Sequence, residues 1–252
     1  MRWSRFGLLL LAMIMSAGAL IAALRTARPT WSLRDRATWR RGLLLVGGAT
    51  AVVVFGAIAS EVREHHVEPY DRSIELAIHA LDSPFADGLM RILTTVGSTP
   101  VVLPVAIAVI VWAWARRDRR AAQVLAMTTA GTELLNMVLK HAFERTRPDL
   151  FTEIATLHSY SFPSGHAMGA AAIYGVAAIV AVRLHRRLHT PLLVATPLIV
   201  LGIGLSRIFL GVHWPTDVAA GFAAGALIVV FAILALEKNA ASAIQPERAI
   251  ED

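Results

Sequence analysis

Apolar positions in this chain come in long runs instead of alternating with polar ones, and the runs set the frame for everything else. Gly7–Leu24 holds 18 residues without a charge and Gly42–Ser60 holds 19. Ile92–Ala115, Gly165–Val182, Pro191–Ser206 and Val218–Leu236 are also uncharged, and Ala121–Leu139 is broken only by Glu133. Roughly 20 apolar residues cross a bilayer as a helix. The pattern therefore predicts an all-α, polytopic membrane helix bundle. Six helices form the core over residues 42–236. An extra hydrophobic helix and a basic linker precede it in residues 1–41, and a polar tail follows in 237–252. The segment 61–91 has a different rhythm. Ile74, Ala77, Ile78 and Leu81 recur at helical spacing opposite Glu75, His79 and Asp82, and Phe85, Leu89 and Leu93 begin a second stripe after Pro84. Two short helices at the membrane interface fit that pattern.

Composition agrees with the pattern. Hydrophobic residues make up 56% of the chain before its 17 glycines are counted, more than soluble domains carry. There is no cysteine, which excludes disulfide and thiolate chemistry. The net charge of +6 does not indicate a nucleic-acid partner, because much of it lies in short breaks between apolar runs. Residues 25–41 hold six Arg, 116–120 four, and 183–189 three with two His, whereas 61–91 has seven acids against three Arg. By the positive-inside rule the basic breaks are cytoplasmic and the acidic one is outside. Threading the six helices this way puts 140–164 and 207–217 on the outer face of the plasma (inner) membrane. A signal peptide would resemble Gly7–Leu24. Its cleavage would leave the Arg-rich 25–41 outside, against the charge rule, so an uncleaved helix is expected.

Chemistry-bearing residues concentrate in those two outer stretches. In Ser206–Asp217, His213 and Asp217 lie four residues apart, so the carboxylate can reach back one turn to the imidazole and fix its tautomer. Arg207 adds a planar cation suited to phosphate. Pro215 suits the first turn of a helix. Ser164 is a natural N-cap for the helix that begins at Gly165, and the N–H groups beyond it make an anion site. Gly165 is expected to let a phosphate oxygen near the backbone, and His166 sits in the first turn. Lys140 ends another helix, with Arg145 and Arg147-Pro148 in the loop after it. Each stretch by itself also fits a capped helix end with a solvated polar rim. His65-His66 reads better as a polar linker than as a metal site.

Together the stretches spell Lys-x6-Arg-Pro, Pro-Ser-Gly-His and Ser-Arg-x5-His-x3-Asp, in that order. This resembles the type 2 phosphatidic acid phosphatase superfamily, and the helix order resembles its six-helix membrane branch. All specified positions are present: Lys140, Arg147, Pro148, Pro163, Ser164, Gly165, His166, Ser206, Arg207, His213 and Asp217. The resemblance implies that His213 attacks phosphorus to form a phosphohistidine, that Asp217 orients its ring and that His166 is the general acid. It also implies that Lys140, Arg147, Arg207, Ser164 and the N–H of Gly165 hold the phosphoryl oxygens, with no metal and no cofactor.

The expected function is removal of phosphate from a lipid of the surrounding bilayer, with Phe143, Phe151, Tyr160 and Phe162 flanking the site. Undecaprenyl diphosphate is favoured because an outward-facing site suits its recycling. Phosphatidylglycerol phosphate, phosphatidate, and a lipid-phosphate binding or transport protein without turnover are the alternatives. A vanadate-dependent oxidase would use the same residues, but known examples are soluble. Glu133, Asn136 and Lys140 share one helix face, so Glu133 is expected to form a polar floor that helps to place Lys140, or else to pack protonated among helices.

Overall fold

The computed structural model describes residues 33–149 and 159–242, and these fold into a helix bundle without a strand. The chain forms α1 (Leu33–Arg63), α2 (Glu68–His79), α3 (Pro84–Val96), α4 (Thr99–Ala115), α5 (Arg119–Phe143), α6 (Gly165–Leu184), α7 (His189–Phe209) and α8 (Pro215–Ser242). Gly7–Leu24, Phe151 and the tail beyond Ser242 lie outside the described residues. α8 runs past the Leu236 boundary of the apolar run.

Four of these helices are long and apolar enough to cross a membrane unaided, and α3 with α4 makes a fifth span bent by 47°. The expected span over Ile92–Ala115 is thus divided. Ile92–Val96 belong to α3, and the chain breaks at Gly97-Ser98 before Pro100 restarts a helix. α5 completes the six-helix core. It carries Gln123, Glu133, Asn136 and Lys140, which lowers its apolar content, and it packs between α4 and α8.

The packing is inverted relative to a water-soluble bundle. Ala106, Ala113, Ala121, Ala167 and Ala220 are fully buried, while Leu45, Val111, Met127, Leu193 and Phe231 are exposed. That is the arrangement expected where lipid is the solvent and small residues let helices approach. α8 lies at the centre against α1, α5, α6 and α7. A Cβ on its Gly221 would stand 2.8 Å from the Ser164 carbonyl oxygen, and one on Gly225 2.6 Å from Ala171 Cβ. The Gly-x3-Gly spacing therefore seats α8 directly on the start of α6.

The basic breaks meet at one end of the bundle, where Arg183 pairs with Asp118 at 2.6 Å and Arg40 with Glu237 at 3.0 Å. The site stretches meet at the other end. The two short helices of the 61–91 segment are present, and α2 turns its polar face into the protein. Asp71 and Glu75 are fully buried and Ile74 is exposed. The reason is local: Asp71 finds partners inside the protein in Arg145 and Thr216, and the apolar stripe is left on the outside.

Candidate active site

α5 ends where Glu144 adopts a left-handed conformation (φ 46°) and its N–H caps the Lys140 carbonyl. Arg145 and Arg147 follow in the loop, which Ser161 N–H ties down by donating to the Arg145 carbonyl at 2.8 Å. Ser164 caps α6 by accepting from Ala167 N–H at 3.5 Å, and its own N–H donates to the Asp217 carbonyl at 3.0 Å. Beyond α7, Gly211 turns the chain at φ 66°, and the N–H groups of Val212 and His213 both donate to the Arg207 carbonyl. α8 starts at Pro215, as its ring geometry favours.

These turns bring His213 to the wall of a cavity of about 280 Å³ that Lys140, Arg147, Gly165, His166 and Arg207 also line. Arg147 Nη1 donates to His213 Nε2 at 3.2 Å. A guanidinium has no lone pair to offer, so Nε2 is the unprotonated nitrogen and Nδ1 carries the hydrogen. Burial, then the neighbouring Arg207, Arg147 and Lys140 charges, push His213 well below the ordinary imidazole range, which keeps the ring neutral and nucleophilic.

Asp217 holds the other side of the ring, less directly than the spacing suggested. Its Oδ2 is 3.5 Å from His213 Nδ1. Ser161 stands beside both, its hydroxyl 3.4 Å from Nδ1 and hydrogen-bonded to Asp217 Oδ2. Trp214 N–H donates to the same Oδ2 at 3.0 Å. Arg145 Nη1 donates to Asp217 Oδ1 at 2.7 Å while its Nη2 donates to Asp71 at 2.7 Å. Asp71 in turn accepts from the Thr216 N–H at 2.9 Å and from its hydroxyl at 2.6 Å. Arg145 is no solvated rim residue, since its side chain is only 8% exposed.

The cations are fixed by neutral oxygens. Arg147 donates to the carbonyls of Ser159 and Val212 at 2.8 and 2.6 Å, and Lys140 to that of Tyr160. Arg207 donates to the Thr94 hydroxyl, and its buried Nε has no partner. Burial lowers the pKa of Arg147 from its ordinary value, as expected for a cation held out of water.

Two site residues gain a structural part beside the expected one, and one flanking residue needs correction. Ser164 is fully buried, and its hydroxyl caps its own helix by accepting from the Ala167 N–H. At Gly165 a Cβ would lie 2.7 Å from Asn136 Nδ2, so the missing side chain admits an amide of α5. Phe162 is fully buried against Phe143 and Phe55, with ring centroids at 4.6 and 5.9 Å, and is core instead of a lipid-facing flank. Sequence reasoning also missed Asp71, Ser161 and Thr216 as parts of the site. Asp71, Glu75 and His79 recur one turn apart, and that ionisable stripe opposite the apolar positions of the helix was the available signal.

The PAP2 superfamily profile matches residues 121–241. Phosphatidylglycerophosphatase B of Bacillus subtilis is 32% identical over 182 residues, which cover 69% of this chain and 87% of that protein. Undecaprenyl-diphosphatase of Sulfolobus acidocaldarius is 30% identical over 155 residues, covering 56% of this chain and 66% of the relative. Among solved structures, a transmembrane PAP2-type phosphatidylglycerolphosphate phosphatase from Bacillus subtilis superposes with a TM-score of 0.70 at 28% identity, over 80% of this chain and 98% of the other.

Proposed function

The chain belongs to the PAP2 superfamily of membrane lipid phosphatases, and from that premise we propose that it dephosphorylates a lipid at the outer face of the plasma membrane through a phosphohistidine. The observation that carries the mechanism is His213 Nε2, an unprotonated nitrogen on the cavity wall among Arg147, Arg207 and Lys140. Nε2 attacks phosphorus and the bond from phosphorus to the leaving oxygen breaks. His166, on the same wall, gives that oxygen its proton. The neutral His166 then takes a proton from water, whose oxygen attacks phosphorus, and the P–N bond breaks to return His213 and release inorganic phosphate. Arg147, Arg207, Lys140 and the N–H of Gly165 hold the phosphoryl oxygens. Positioning and charge carry most of the catalysis in such a transfer. Ser164 supports it by capping the helix, and Asp217, through Ser161, orients the ring.

Two lipid chemistries fit this site. Undecaprenyl diphosphate suits an outward-facing site by the logic of carrier recycling. Phosphatidylglycerophosphate is favoured by a relative aligned along most of its own length. Purified protein in detergent should release inorganic phosphate from one or both. His213→Ala should fall to background, and Asp217→Asn should retain weak turnover because attack proceeds with a badly held ring. Lipid binding without phosphate release, or near-normal turnover in His213→Ala, would sink the reading.

A further inference from the structure

The cavity has an end that the phosphate chemistry leaves unused. From the cations it follows α5 inward past Asn136, Glu133 and Thr129, with Val102 of α4 and Ile173 of α6 facing them. Asn136 Oδ1 is buried without a hydrogen-bond partner, an uncompensated desolvation unless a ligand donor reaches it. Glu133 lies one turn further in, about 4.5 Å along the axis, with no ion-pair partner among the described residues. Two acceptors thus line one cavity, Asn136 half-buried with an unmet oxygen and Glu133 exposed and open to a ligand donor.

Their place relative to the reaction gives them a meaning. The Asn136 amide packs against Gly165, the residue before His166. His166 lines the same cavity and protonates the leaving oxygen, so the alcohol side of the scissile bond lies towards Asn136. We propose that Asn136 and Glu133 are a hydroxyl-recognising subsite, accepting hydrogen bonds from free hydroxyls on the leaving alcohol and selecting a phosphomonoester of a polyol headgroup. A glycerol phosphate headgroup supplies such a hydroxyl beside the scissile ester. Phosphatidate supplies none, since its neighbouring oxygens are acylated. The leaving group of a lipid diphosphate is itself an anion and would be driven towards a carboxylate. A site built around a substrate hydroxyl discriminates strongly against analogues that lack it, because its acceptors are then left unmet.

The proposal rests on the lipid phosphatase reading, and one panel separates the two. Wild type, Asn136→Leu, Glu133→Leu and Glu133→Gln are assayed on phosphatidylglycerophosphate, phosphatidate and undecaprenyl diphosphate. The wild type should prefer phosphatidylglycerophosphate by kcat/KM. Each Leu variant should lower its ratio to phosphatidate about tenfold, and Glu133→Gln should keep part of the preference because an amide oxygen still accepts. The ratio is insensitive to loss of folded protein, since both substrates meet the same enzyme. If phosphatidylglycerophosphate is not the preferred lipid, or both Leu variants leave the ratio unmoved while lipids are still hydrolysed, the subsite is wrong and the phosphatase stands. If the wild type hydrolyses none of the three, both readings fall.

Discussion

Arg145 holds two buried carboxylates at once, Asp71 on α2 and Asp217 beneath the His213 imidazole. Removing one member of such a group leaves uncompensated buried charge, a cost of about 3–5 kcal/mol. Arg145→Lys keeps the charge but loses the fork that reaches both acids. Its kcat should fall by about 10- to 100-fold with a smaller change in KM, because Asp217 and the ring it orients are displaced while the phosphate cations stay. Steady-state kinetics on detergent-solubilised protein would check this, and equal losses in both constants would contradict it. Glu75 supplies a second test. It is fully buried with neither oxygen hydrogen-bonded, and burial, reinforced by Asp71, raises its pKa from 4.5 to about 8. Between those values the native state keeps a proton that the unfolded chain releases, so stability falls as pH rises across that window and levels off above about 8. Glu75→Gln should flatten that part of a plot of melting temperature against pH. At this scale the sequence showed Lys140, Arg147, His166, Arg207 and His213, which the fold brings to one cavity, because their spacing is itself chemical. Asp71 was hidden, because only the fold brings residue 71 to residue 145.

Gly221 and Gly225 place α8 against the first turns of α6, and through that contact Ser164 N–H meets the Asp217 carbonyl at 3.0 Å. Gly221→Val would force side-chain atoms onto the Ser164 carbonyl and separate the helix that carries Asp217 from the one that carries His166. Activity and melting temperature should fall together, whereas Gly56→Ala, on α1 with nothing near its Cβ position, should change neither. A stable but inactive Gly221→Val protein would show that the contact positions the site without holding the fold. Four of the spans were legible from apolar run length alone. The break at Gly97-Ser98 was not, because Ile92–Ala115 reads as one run. Its cause is tertiary: a Cβ on Gly97 would stand 2.4 Å from Ile203 of α7, and the Tyr174 hydroxyl, in a π-turn of α6 (Ala170–Tyr174), donates at 2.6 Å to the Val96 carbonyl freed by the break.

Across the whole molecule the basic breaks gather at one end and the catalytic stretches at the other, which is the basis for facing the site outward. The chain contains no cysteine, so single replacements report sidedness cleanly. Glu64→Cys should react with an impermeant maleimide on intact cells, and Arg187→Cys only after the membrane is opened; the reverse pattern would invert the topology. EDTA should leave turnover unchanged, and vanadate should inhibit by occupying the phosphoryl position at His213. Loss of activity on chelation, restored by magnesium, would contradict the proposed use of protein cations. Carbonyls and a hydroxyl hold Lys140, Arg147 and Arg207, and among the described residues no carboxylate is ion-paired to any of the three. Their positive charge is therefore anchored without being neutralised, and the site acts as a trap tuned to the valence of what enters it. A doubly ionised phosphate should be captured far better than a singly ionised one, so KM should climb as pH drops below about 6, where a phosphomonoester takes up its second proton. Free orthophosphate, the product, should hold the trap shut by the same rule, weakly in acid and more firmly towards neutral pH.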